Sequence, residues 1–145
     1  MTNPRPNIEV ANIWIGYIFA KLYENFPVPY DFTISEIVQE TKEKPNLDEY
    51  QLVLFGTSLV NWLREEKFIR GEDPPLGPDF LIDFATLTER GLRVLNAVPE
   101  SLHEKRKVGE QLVDASKRIG EDTVKKSVGE LVGQILGGII KGVTS

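Results

Sequence analysis

Three groups of residues in this chain have types and spacing that could do chemistry. One is the single histidine, His103, in the stretch SLHEKRK. The second is a trio of carboxylates around one turn, Asp73, Asp79 and Asp83. The third is a ladder of glycines at spacing four, Gly129, Gly133 and Gly137. A lone histidine at a helix start is most simply a solvated or capping residue. The chain has no cysteine, so disulfides and thiolate metal sites are excluded. With one histidine and no thiol, a transition-metal site is not expected. The carboxylate trio could hold a weakly bound cation, but turn chemistry and solvation account for it more simply. No phosphate-cradling G-x-x-x-x-G-K-[ST], no G-x-S-x-G and no H-E-x-x-H occurs. The residues therefore predict no enzyme, no metal and no cofactor.

The elements that must position these residues follow from periodicity. At 145 residues, 41 % hydrophobic and 27 % charged, the chain has the size and balance of about one globular domain, with room for an appendage. MTNPRPN, residues 1–7, should be a flexible arm. From Ile8 to Phe26, Ala11, Ile15, Ile18 and Leu22 follow helical spacing, and Pro27 and Pro29 stop the helix. The aromatics Trp14, Tyr17, Phe19, Tyr23 and Phe26 cannot all face one side, and a helix this broadly apolar often docks a tail or a second chain. Thr33 and Glu36 form a T-x-x-E capping box for a short second helix, with Phe32 and Ile37 as its hydrophobic staple. A third helix is predicted over about 48–66, capped by Asn46 or Asp48, with Leu52, Phe55, Leu59 and Leu63 as its buried stripe. Gly56 inside it costs about 1 kcal/mol against alanine, which close packing would explain. Phe68 and Ile69 open a strand, DPPLGPD turns, and FLIDFATL returns as a second strand. Thr88 then caps a further helix that ends at Pro99.

The order is helix, short extended piece with a helix, long helix, β-hairpin, helix. The wording over about 8–98 resembles the winged-helix superfamily. FTISEIVQE looks like the phrase that opens the second helix of many bacterial regulators of that kind. LVNWLREEKFIRGE is similar to the end of their third helix running into the wing, and ATLTERGLRVL to the phrase that closes it. One departure is Lys67, where such proteins often have glycine. The fold class expected is mainly α with a small β-hairpin wing, a winged-helix domain over 8–100, followed by a helical tail over 101–145.

The resemblance implies DNA binding, with the third helix in the major groove and the wing on the backbone. The nucleic-acid contacts would then be Gln51, Ser58, Asn61, Arg64 and Arg70, from an outward set that also includes Glu49, Tyr50 and Thr57. Gln51 and Asn61 have the donor–acceptor pattern to read adenine. Charge opposes this. Residues 1–100 hold 9 Lys and Arg against 16 Asp and Glu, a net of −7, whereas residues 101–145 hold 8 against 6, a net of +2. Affinity for DNA rests chiefly on neutralising phosphates, so an acidic domain is disfavoured.

The tail carries two apolar stripes. Val108, Leu112, Ala115 and Ile119 make one, and Val124, Val128, Leu131, Ile135 and Ile139 the other. At about 100° per residue they lie roughly half a turn apart. A break at Gly120–Glu121–Asp122 is the favoured explanation; the alternative is one long helix that changes partners. The expected tail interface is Val128, Gly129, Leu131, Val132, Gly133, Ile135, Leu136, Gly137, Ile139 and Ile140, resembling a glycine-zipper helix that lets another helix approach closely, the surface it meets being a second copy, the chain's own domain or a bilayer. A span is not expected: sixteen residues rise only about 24 Å against a core of about 30 Å. An interfacial helix is conceivable, with Lys125, Lys126 and Lys141 facing anionic lipid.

The reading is a non-enzymatic regulatory or interaction protein whose tail drives homo-oligomerisation or docks a protein partner. A DNA-binding regulator that dimerises through the tail, and an effector attached to a membrane surface, are the alternatives. The start of the chain lacks the basic and apolar pattern of a secretory signal, so the expected compartment is the cytoplasm, with peripheral membrane attachment left open.

Overall fold

The computed structural model describes residues 5–75, 77–98 and 105–137. Helix α1 spans Asn7–Asn25, strand β1 Tyr30–Thr33, α2 Ile34–Thr41 and α3 Glu49–Glu65. Strands β2, Ile69–Glu72, and β3, Phe80–Leu87, form the hairpin, and α4 covers Glu89–Asn96. The tail folds as α5, Val108–Ser116, and α6, Asp122–Leu136. The fold is thus mainly helical with one small antiparallel sheet, strand order β1-β3-β2.

The helix starts are set by side-chain caps. Thr33 accepts from the Glu36 amide, Asp48 from that of Gln51, and Thr88 from that of Gly91, each satisfying an otherwise orphaned donor. The capping box at α2 is only half made. Glu36 does not reach back to Thr33; its Oε2 accepts from the hydroxyls of Tyr17 and Tyr30, 2.6 Å each. Two charge-assisted bonds outcompete one amide. Burial, then the bond to Glu36, raises both tyrosine pKa values well above the ordinary 10. Lys67, at the position where glycine was expected, takes the left-handed φ of 67° that favours glycine. Phe68 N bonds back to Leu63 O at 3.0 Å, so the turn is tight. Gly56 is buried, and a Cβ there would lie 2.9 Å from Leu81 of β3 and 3.4 Å from Ile34 of α2. Close packing does explain it, although against a strand and a helix end.

Helix α1 is the centre of the molecule. Ten of its nineteen residues are buried, among them Trp14, Tyr17, Ile18 and Phe19. It touches α2, β1 and β3 on one side and α5 and α6 on the other. The buried side chains of the tail, from Val108 to Ile135, belong to the same hydrophobic cluster as those of α1 and the sheet. The tail does break where its two stripes change phase: α5 ends at Ser116, a turn follows, and α6 starts after Glu121. Among the described residues no helix is long and apolar enough to cross a membrane.

Candidate functional site

The two surfaces singled out from the sequence are the outer side of α3 and the apolar stripe of α6. The structure treats them differently.

The α6 stripe is consumed inside the chain. Val128, Val132 and Ile135 are buried to 2 % exposure or less, and Leu131 to 8 %, with Leu136 packed partly against them. Their partner is α1. The closest approach is at Gly16 of α1, where a Cβ would lie 2.2 Å from Val128 Cγ1 and 3.3 Å from Val132 Cγ2. Gly109 of α5 does the same for Tyr23, whose ring a Cβ would meet at 2.6 Å. Glycines therefore do mediate close helix contact, but not those of the expected ladder. Around Gly129 and Gly133 nothing lies within 4 Å of a Cβ position, and Gly137 forms the C-cap of α6. The reason is phase. Val128, Leu131, Val132 and Ile135 point at α1, so residues one and five positions after Val128 turn away from it. Ile139 and Ile140, like Lys141 and His103, lie outside the described residues.

Lys125 is a second correction. It does not face outward: it is 4 % exposed, and its Nζ donates to Lys42 O at 2.9 Å and to Glu43 Oε1 at 3.0 Å. Arg5 Nε adds a bond of 3.1 Å to the same Glu43 oxygen, and its guanidinium reaches Asp122 at 3.2 Å. Trp14 Nε1 donates to Glu43 O at 2.9 Å. One loop after α2 thus ties the N-terminal arm, α1 and α6 together. A buried cation needs such pairing. Lys126 remains exposed.

The outer side of α3 is open. Gln51, Ser58 and Asn61 are exposed on one side of the helix, as their spacing requires, and Arg70 is exposed on β2. Arg64 is half-buried and held by Asp73 at 2.7 Å, so it is committed to a carboxylate rather than presented to a phosphate. Between the polar positions lie large apolar ones: Tyr50 is 78 % exposed and Leu54 54 %. The stripe expected to be buried is shifted: Gly56, Val60 and Leu63 are buried, while Leu52, Phe55 and Leu59 are only partly so.

Beside this face a cavity of about 800 Å³ opens between α2, the first half of α3 and the turn before β3. Ile34, Val38, Leu52 and Val53 make its apolar floor, and Tyr50, Lys44, Glu49 and Asp79 stand around it. Asp79 is not a free ligand. Its Oδ1 accepts from Ser35 N at 2.9 Å and Ser35 Oγ at 2.8 Å, which caps α2 a second time. Asp73 is spent on Arg64, and Asp83 faces Glu72 across the hairpin. Among the described residues no cluster of His, Cys, Asp and Glu could hold a metal.

The apolar groove is the part of the site that periodicity missed. Its signal was present: Tyr50 and Leu54 are spaced i, i+4 on the side of α3 opposite the buried Val60 and Leu63. No family model matches the chain, and no curated protein and no solved structure matches it.

Proposed function

We propose that this chain is a non-enzymatic interaction protein of winged-helix architecture, which binds a protein partner through the exposed side of α3 and the adjoining groove. The architecture is supported by the element order α1-β1-α2-α3-β2-β3-α4, by the sheet order β1-β3-β2, and by the left-handed turn at Lys67 that joins α3 to the hairpin. The observation that carries the function is the apolar surface on α3. Tyr50 and Leu54 stand in solvent beside a groove floored by four aliphatic side chains. Exposed contiguous apolar surface of this kind marks interaction sites. The described part of the tail supports the same reading, because its apolar stripe from Val124 to Ile135 is already used against α1.

The test is selection of peptides from a random library displayed on phage, using the full chain as bait. Enriched peptides should lose binding to the Tyr50→Ala/Leu54→Ser double variant. Failure to enrich any peptide dependent on these two side chains overturns the reading.

A DNA-binding role has one observation in its favour, the shared exposure of Gln51, Ser58 and Asn61. Phosphate neutralisation opposes it, since Arg64 is paired and the front of the chain is acidic. Mobility shift with pooled duplex DNA at about 50 mM salt, where electrostatic affinity is high, should show no complex. A shifted band lost on Gln51→Ala/Asn61→Ala would replace the protein-partner reading.

A further inference from the structure

We infer that the partner presents a basic amphipathic helix to the α3 face, an inference that rests on the interaction reading above. Three features of the face select this occupant.

The first is shape. The groove is walled by two helices and a turn, and it offers no strand edge: β1 and β2 are the sheet edges, and neither lines it. Main-chain ladder addition is therefore unavailable; polyproline ligands take aromatic-lined grooves, whereas this floor of Ile34, Val38, Leu52 and Val53 is aliphatic and suits the apolar face of a helix.

The second is extent. Its volume, about 800 Å³, is within the range of small-molecule pockets. The apolar surface does not stop at its rim, however. From Tyr50 at the rim, Leu54 continues it outward along α3, and a small molecule seated on Val38 and Val53 would leave Leu54 in water. A helix with apolar residues at i, i+3 or i+4, and i+7 covers groove and rim together.

The third is charge. Glu49 and Asp79 line the groove, Asp48 stands exposed at the start of α3, and Glu65, Glu66 and Glu72 are exposed farther along α3 and the hairpin. Cations on this side are fewer: Lys44 at the groove, and Lys67, Arg70 and Arg90 at the far end, Arg90 donating to Glu66 O, with Arg64 paired to Asp73. The excess is negative, and the partner's flanking positions should be Lys or Arg. Complementary rims steer encounter and reject like-charged competitors.

The experiment uses two synthetic helical peptides with the same leucine positions, one with lysine and one with glutamate at the remaining sites. Each is titrated into the full chain and followed by fluorescence anisotropy. The lysine peptide should bind at least about tenfold tighter, its advantage should shrink as salt is raised, and Tyr50→Ala/Leu54→Ser should weaken it by a similar factor. Both positions are exposed, so the variant should fold; circular dichroism checks this. Equal or reversed affinities overturn the basic-helix inference, as does lysine-peptide binding that ignores the double variant. If α3-dependent peptides still emerge from the displayed library, the interaction reading survives that failure.

Discussion

Helices α1 and α3 both carry more apolar side chains than one face can hold, yet from Ile13 to Ala20 α1 is covered all round and α3 is not. The difference lies in what the rest of the chain supplies. The tail provides α1 with a matching surface: Gly16 admits Val128, Gly109 admits Tyr23, and Lys125 closes the edge against Glu43. Helix α3 meets the sheet and α2 at Gly56, Val60 and Leu63, and no described element lies over Tyr50 or Leu54. Apolar excess on a helix is thus an unfinished contact in both places. On α1 the same chain completes it; on α3, among the described residues, nothing does.

The contrast breaks most severely if the tail is removed. A chain ended before Val108 lacks α5 and α6 and bares the Gly16 side of α1, so it should lose cooperative thermal unfolding, read by circular dichroism. Gly16→Val should come next. Its Cβ position is 2.2 Å from Val128 Cγ1 inside a close-packed seam, and a loss of about 3 kcal/mol in urea unfolding is expected. Lys125→Ala strands Glu43 with Arg5 alone, and about 2–3 kcal/mol should be lost, less than for a buried pair with no second cation.

High pH probes the sheet side of α1. Tyr17 and Tyr30 have folded-state pKa values raised above the unfolded value by burial and by their bonds to Glu36. A raised pKa means that the folded state holds its proton more tightly. The associated stability is complete below about pH 10 and falls as pH rises beyond it. Tyr17→Phe should flatten that alkaline decline in denaturant titrations.

The smallest effect should be at Gly133→Leu. Nothing lies near its Cβ position, so the only consequence is better helix propensity, a gain of up to about 1 kcal/mol. Had Gly133 been the contact glycine, the same change would be strongly destabilising. Measuring Gly133→Leu beside Gly16→Val therefore decides which glycines hold the tail.

Much of the local structure was legible. Thr33 and Thr88 cap the helices they were expected to cap, and of the two candidates for α3, Asn46 and Asp48, it is Asp48 that does so; capping depends on residues three apart. FLIDFATL is a strand along its whole length, and the break between α5 and α6 follows from stripes half a turn out of phase. Apart from the shifted buried stripe of α3, the errors were in partner identity. Glu36 belonged to Tyr17 and Tyr30 rather than to its own cap, and Lys125 to Glu43 rather than to solvent. Gly129 and Gly133 share a spacing that suits helix contact, yet the residues between them took the contact.

The sequence by itself determined where helices and strands begin, which residues on each are apolar, and that the tail must lie against something. These are consequences of backbone periodicity and of hydrogen bonds between near neighbours, which a linear pattern contains. Only the tertiary structure decided that the something is α1, that the seam closes over Gly16 and Gly109, and that α3 keeps an open apolar face. Those depend on the three-dimensional fit of surfaces more than a hundred residues apart, and spacing along the chain carries no information about which of two apolar faces will meet.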